Sequence, residues 1–321
     1  TTPDTDEQWQ AIEALGHQVD EDLQRLDVRL TMGGEPTFVA ADDPDGAEWN
    51  TEALGPTKRA RAIELFGHLR AKYAPFGLSH FGQGKWYPGE QLPRWSLNCY
   101  WRKDGEPMWT NPALLAEETV DYGADEALAL AFLQGVSARL GVDEDYIFPA
   151  FEDQFYYIWR ERNLPINVDP LDARLNDPME RERLAKVFSQ GLDKIVGHVL
   201  PLSWNEKQQT WQTGKWFLRG KHCYLLVGDS ALGYRLPLES QPWVSKEDFP
   251  YINAIDPSAL TAPLPTSSEI KQQPKKTPVI SAEPNPKKSA IDLTRTALCA
   301  EARQGRLYLF MPPMVELAHY L

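Results

Sequence analysis

Five carboxylates crowd the stretch LTMGGEPTFVAADDPDGAEWN, between Leu30 and Asn50: Glu35, Asp42, Asp43, Asp45 and Glu48. A second dense stretch, HFGQGKWYPGEQLPRW, runs from His80 to Trp95. Gly33-Gly34 lets the backbone turn or approach another group closely, because glycine tolerates φ values that other residues avoid. Pro36 then stiffens the corner that carries Glu35. Oxygen ligands on a fixed corner beside an acidic turn are how a protein holds a hard cation. Glu35, Asp42, Asp43 and Glu48 are therefore the candidate metal ligands. Turn chemistry alone also accounts for DDPDG as a solvated turn and GGEP as a tight strand corner, the more ordinary description of those residues. Lys58, Arg59 and Arg61, in the first turns of a helix, attract a phosphate or carboxylate, or else pair with Asp42, Asp43 or Glu48. Carboxylates this close repel one another unless a cation or basic side chains sit among them. The expectation is one face bearing Glu35, Asp42, Asp43 and Glu48 together with Lys58, Arg59, Lys85 and Arg94, walled by Trp49, Trp86 and Trp95.

Helices and short strands must position these groups. Trp9, Ile12, Leu15, Val19, Leu23 and Leu26 recur at helical steps and predict a lead helix over residues 4–26, capped by Asp4 or Thr5 and docked on the main domain. A second helix spans about 56–74, with Pro56 in its first turn. Gly82, Gly84 and Gly89 punctuate a loop that is not a Walker A sequence, and Lys85 within it either holds an anion or lays its stem on Trp86. Leu97 to Arg102 reads as a strand. An apolar helix over 124–140 ends at Gly141. The aromatic helix around Phe155, Tyr156 and Trp159 reads as core, with Glu152, Asp153, Arg160 and Arg162 pairing at helical spacing. A further helix runs from Asp177 to about Leu192. After Leu200 the texture changes to short strands and turns, with Arg219-Gly220-Lys221 as a hairpin loop. The domain expectation is a lead helix over 1–28, a main α+β domain over 29–254, a flexible linker over 255–290, and an opening hairpin and helix of a following module over 291–321. The linker reading rests on its prolines and the loss of any apolar period. The fold class is α+β, with helices and short, mainly antiparallel strands.

Composition narrows the function. The chain has 321 residues, is 42% hydrophobic, and carries a net charge of −13 with a pI of about 5.0. That excludes a general nucleic-acid or anionic-membrane binder, which needs a basic face. Cys99, Cys223 and Cys299 are widely spaced, show no zinc-ligand spacing and fit a reducing, cytoplasmic setting. No signal peptide and no membrane-spanning run are visible. No ordered Ser/His/Asp set, HExxH or GxSxG motif occurs.

The stretches GGEPTFV, DGAEWN, LGPTKR, FGQGKWYPGE and LPRW, followed by WRERNLPINVDPLDARLNDPMERERL, VLPLSW, GDSALGYRLPLES, RTALC and FMPP, resemble an uncharacterised bacterial family described as amidoligases. The likeness covers nearly the whole chain from Leu30 onward. Members usually carry a transglutaminase-like domain in front and a glutamine-synthetase-like ligase region behind. The resemblance implies ATP and magnesium as cofactors and a peptide or amino-acid-like substrate. It also implies a transglutaminase-like domain or protein as partner. It assigns Glu35, Lys85 and Arg94 as catalytic groups and Lys58, Arg59 and Gln83 as nucleotide-binding ones. The chain would then be an N-terminal portion of such a ligase. Two other readings stay open: a non-catalytic scaffold or docking module, and a glycan-binding or glycan-active domain using clustered aromatics and paired carboxylates.

Overall fold

The computed structural model describes residues 5–28, 39–50, 55–85, 94–249 (except 103, 108, 110, 112, 114, 118, 119 and 173–177), 256, 262–266, 269, 279–280 and 283–320. The chain divides into two compact units, 1–59 and 60–321. This places the boundary inside a helix rather than near residue 29.

In the first unit, α1 (Asp6–Arg25) starts at a capping box. The Thr5 hydroxyl accepts from the Gln8 amide at 3.3 Å, and the Gln8 side chain accepts from the Thr5 amide at 2.7 Å. Two of the orphan donors of the first turn are thereby satisfied. The predicted apolar stripe lies along this helix, yet none of its residues is buried. After the acidic turn come the short α2 (Ala47–Asn50) and the start of α3 (Pro56–Tyr73).

The second unit is built on a five-stranded sheet of order β10-β9-β4-β3-β7. Before it in sequence stands a separate antiparallel hairpin, β1 (Leu78–Lys85) with β2 (Arg94–Tyr100). The sheet's strands are β3 (Phe148–Phe151), β4 (Ile195–Pro201), β7 (Cys223–Tyr224), β9 (Ala297–Arg303) and β10 (Arg306–Phe310). All its pairings are antiparallel except β3 with β7. Helix α4 (Glu126–Leu140) is capped by Asp125, whose carboxylate accepts from the Leu128 amide, and closed by Gly141 in the left-handed region at φ 67°. Its Ala129 and Leu133 pack with Leu200, Leu298 and Ala300 on one face of the sheet. The other face buries Val199, Cys223, Cys299, Leu225, Leu232 and Trp216. Near-continuous burial on both faces explains why β4 and β9 read as apolar runs. Two further helices, α5 (Gln154–Arg162) and α6 (Pro178–Gln190), share a third core of Tyr157, Leu184 and Val187.

The α+β class holds, and several predicted elements shift. The closing hairpin does not open a separate module: β9 lies between β10 and β4, so it completes the central sheet. A local sequence cannot show this, because the β4 partner is about a hundred residues away. Its turn is as expected, with Gln304 and Gly305 both at positive φ, 50° and 71°. The 3-residue β5 (Ser203–Asn205) and β6 (Thr210–Gly214) form a second small sheet with β8 (Val279–Ile280). Thus a strand falls inside the expected linker, pairing parallel with β6; most of 255–282 lies outside the described residues. Arg219-Gly220-Lys221 forms a short 3-10 turn rather than a hairpin loop, and β7 beyond it pairs with β3. Trp216 fixes that stretch by donating its indole N–H to the Thr294 carbonyl at 2.8 Å.

A candidate anion-binding site between two helices

The residues singled out in the sequence have these positions. Glu35 lies outside the described residues. Asp42 and Asp43 are exposed, and the turn closes with the Gly46 amide 3.3 Å from the Asp43 carbonyl. Glu48 is half-buried, and its Oε1 accepts from the Lys58 amide at 2.6 Å. A carboxylate there satisfies one of the free N–H groups of the α3 N-terminus and complements its dipole. Gly55 makes room: a Cβ on it would sit 1.8 Å from Glu48 Cγ. The Lys58 ammonium lies 5.9 Å over the Trp49 ring, and the Arg59 amide bonds the Gly55 carbonyl at 3.0 Å. In the second unit the β1–β2 register sets Lys85 opposite Arg94 and Gln83 opposite Trp95. Among the described residues no group of three His, Cys, Asp or Glu side chains is arranged to hold a metal ion.

The densest charged arrangement lies elsewhere, on α5, α6 and the segments against them. Asp153 caps α5, its carboxylate accepting from the Tyr156 amide at 3.2 Å. One turn in, Tyr156 donates its hydroxyl to Glu180 Oε1 at 2.6 Å, and Arg160 pairs with the other Glu180 oxygen. Spacing of four along α5 aims both at one carboxylate on α6. The expected pairing within α5 is thus replaced by pairing between helices. Arg181 is buried and donates to the Asp172 carbonyl at 2.8 Å and to the Asp169 carbonyl, which ties down the loop ahead of α6. Arg183 reaches Asp229 Oδ2 with Nε at 3.0 Å and Nη2 at 2.7 Å. Arg303 from β9 donates to the Asp229 carbonyl at 2.7 Å. Beside them Glu152 and Arg235 form a buried two-armed ion pair, and Arg235 Nε also donates to the Leu226 carbonyl at 2.7 Å.

Between the helices is a cavity of about 20 Å³, lined by Tyr156, Tyr157, Arg160, Glu180, Arg181 and Arg183 with Leu164 and Leu184. That volume suits roughly one water-sized atom. Two of the lining residues, Tyr157 and Arg181, carry a buried polar atom with no hydrogen-bond partner among the described residues, the hydroxyl and Nη1 respectively. Burial pushes the Tyr157 hydroxyl well above the usual phenol range, and the nearby Glu152 carboxylate adds to the rise. Tyr156 is raised by burial and by its bond to Glu180. Both phenols therefore keep their protons and act as donors. Sequence reading assigned Phe155, Tyr156 and Trp159 to the core, but Phe155 and Trp159 are exposed and Tyr156 is half-buried. The residue this helix buries is Tyr157, one position off, because the face turned to α6 is set by packing and not by residue type. The signal was available in WRERNLPINVDPLDARLNDPMERERL, which supplies Arg160, Glu180, Arg181 and Arg183, and in GDSALGYRLPLES, which supplies Asp229 and Arg235.

An α+β protein with guanidinium groups gathered around a donor-lined cavity is suited to recognising an oxyanion. The chain belongs to the family described as "Putative amidoligase enzyme (DUF2126)", whose model matches residues 1–321. No curated protein and no solved structure matches it.

Proposed function

We propose that the chain is part of an ATP-dependent carboxylate–amine ligase. Membership of the amidoligase family along residues 1–321 carries this reading. In such chemistry ATP activates a carboxylate, and an amine then displaces the phosphate. The part played by the described residues is binding. Arg160, Arg181 and Arg183 present positive charge around the cavity, and Tyr157 keeps a hydroxyl donor there, the Tyr156 proton being engaged by Glu180. The substrate on this reading is a peptide or amino-acid-like carboxylate, and a transglutaminase-like domain is its functional neighbour. ATP with magnesium is the cofactor pair. The described residues do not assemble a magnesium site: Glu48 is engaged at the α3 N-terminus, and Asp42 and Asp43 are exposed. Metal binding by the acidic stretch therefore hinges on Glu35. Lys85, Arg94, Lys58, Arg59 and Gln83 remain the proposed catalytic and nucleotide contacts.

The test is release of ADP from ATP with magnesium, dependent on both an added amino-acid or peptide carboxylate and an amine. Thermal shift by magnesium nucleotide, lost in Glu35→Gln with the fold intact, checks the metal assignment. No nucleotide-dependent shift and no ADP release would overturn the reading. A docking-module reading is favoured by one observation, the apolar stripe of α1: Trp9 is 62% and Leu15 60% exposed. Loss of association with a transglutaminase-like domain on removal of residues 1–28, in a chain that releases no ADP, would support it.

A further inference from the structure

The α5–α6 cavity has an uncompensated character that its own helices do not explain. Its lining includes Tyr157 and Arg181, whose hydroxyl and Nη1 are buried donors that find no acceptor among the described residues. Burial of an unmade hydrogen bond is costly, so natural structures supply a partner. Its rim is open: the Arg160 and Glu180 side chains are 36% and 25% exposed. Charge points to the kind of partner. Arg160 pairs with Glu180 and Arg183 with Asp229, while Arg181 is held by two backbone carbonyls. Among the described residues Arg181 therefore has no carboxylate partner, and it is buried.

We propose that this cavity is a binding site for one oxygen of a small oxyanion, a carboxylate or a phosphate, which accepts from Tyr157 and Arg181 while the rest of the ligand emerges past Arg160 and Glu180. The cavity volume admits the oxygen and excludes the body of the ligand. The inference deepens the ligase reading by locating where its anionic substrate is gripped.

Full-length chain is titrated calorimetrically with phosphate, acetate and L-glutamate at constant ionic strength, with chloride as control. The expected result is a single site for phosphate or for the carboxylates, together with a rise in melting temperature. Tyr157→Phe keeps the ring in its core and deletes the hydroxyl. It is expected to weaken binding about tenfold or more, because a hydrogen bond to a charged acceptor is lost. Arg181→Lys is the second variant; it keeps the charge but loses the fork, and should weaken binding without unfolding α6. Competition by phosphate alone assigns the site to the nucleotide side, and competition by glutamate alone assigns it to the acceptor. Unchanged binding in Tyr157→Phe, or no binding beyond the chloride control, overturns the proposal and leaves the cavity to a water. Anion binding without ADP release would sink the ligase reading and spare the site. ADP release that survives in Tyr157→Phe with anion binding lost would do the reverse for the site's catalytic relevance.

Discussion

Single side chains set the character of the second unit. The buried pair Glu152–Arg235 stands between β3 and the segment after β7. Deleting one partner leaves the other charge buried and unpaired, so Arg235→Met should cost about 3–5 kcal/mol. Pairing it with Glu152→Gln should recover part of that loss in a double-mutant cycle read by urea denaturation. His198 offers a pH signature. Burial holds its imidazole below the ordinary value of 6.5, against the pull of Glu126, whose Oε1 is 3.1 Å from His198 Nε2. The unfolded chain then takes up a proton before the folded one does as the pH falls. Stability from this residue is full above about pH 6.5 and declines on acidification towards the lower folded value. Replacing His198 with Asn should flatten that slope in a series of melts from pH 7.5 to 5. Thiol chemistry follows the same logic. Burial pushes Cys223 up to about 12 and Cys299 well above its usual range. Burial raises the Cys99 thiol too, against the pull of Arg70, but Cys99 is only half-buried, so iodoacetamide at pH 8 should label it slowly and spare Cys223 and Cys299 until the protein unfolds.

At the scale of elements, caps and close approaches decide what a helix or strand tolerates. Glu48 serves the α3 N-terminus, so Glu48→Ala should cost about 1 kcal/mol, and Glu48→Gln less. Gly55→Ala should act like Glu48→Ala, because its Cβ displaces the capping side chain. Combining the two should add little beyond either, a non-additivity measurable by thermal denaturation. Gly197 on β4 is stricter. A Cβ there would lie 2.6 Å from the Ala300 carbonyl and 2.7 Å from Leu232 Cδ1. A backbone atom cannot swing aside, so Gly197→Ala should destabilise by about 1–3 kcal/mol or more. The β4–β9 pairing, in which Gly197 stands opposite Glu301, is the element under test.

At the scale of the molecule, the central sheet joins distant parts of the chain. β9 sits inside it, and Ala297, Leu298, Cys299 and Ala300 are all buried. A chain ending at residue 290 should therefore lose cooperative unfolding and near-UV circular dichroism, whereas a hairpin of a separate module would be dispensable. Ala300→Asp in the full chain should reproduce much of that loss, since it puts an unpaired charge against α4. Among the described residues no helix is long and apolar enough to cross a membrane.

The sequence by itself settled what depends on neighbours along the chain. Helical periods, Pro56 and Gly141 marked helices whose observed ends lie close to the expected ones, and Gln304-Gly305 marked its turn. The family motifs were legible as well, because they are long local strings. What it left undecided depends on pairing across distance. Strand hydrogen bonds carry no residue code, so nothing in RTALC names VGHVLP as its neighbour. Ion-pair partners are equally open on paper: Arg160 had carboxylates of its own helix to choose from, and the packing of α5 on α6 gave it Glu180. Glu48 looked like a metal ligand beside other acids, and the return of the chain through Gly55 brought a helix N-terminus to it instead. Only the tertiary structure left Tyr157 and Arg181, beside one cavity, with buried donors that no described residue accepts, because burial and the lack of an acceptor are properties of surroundings and not of residue type.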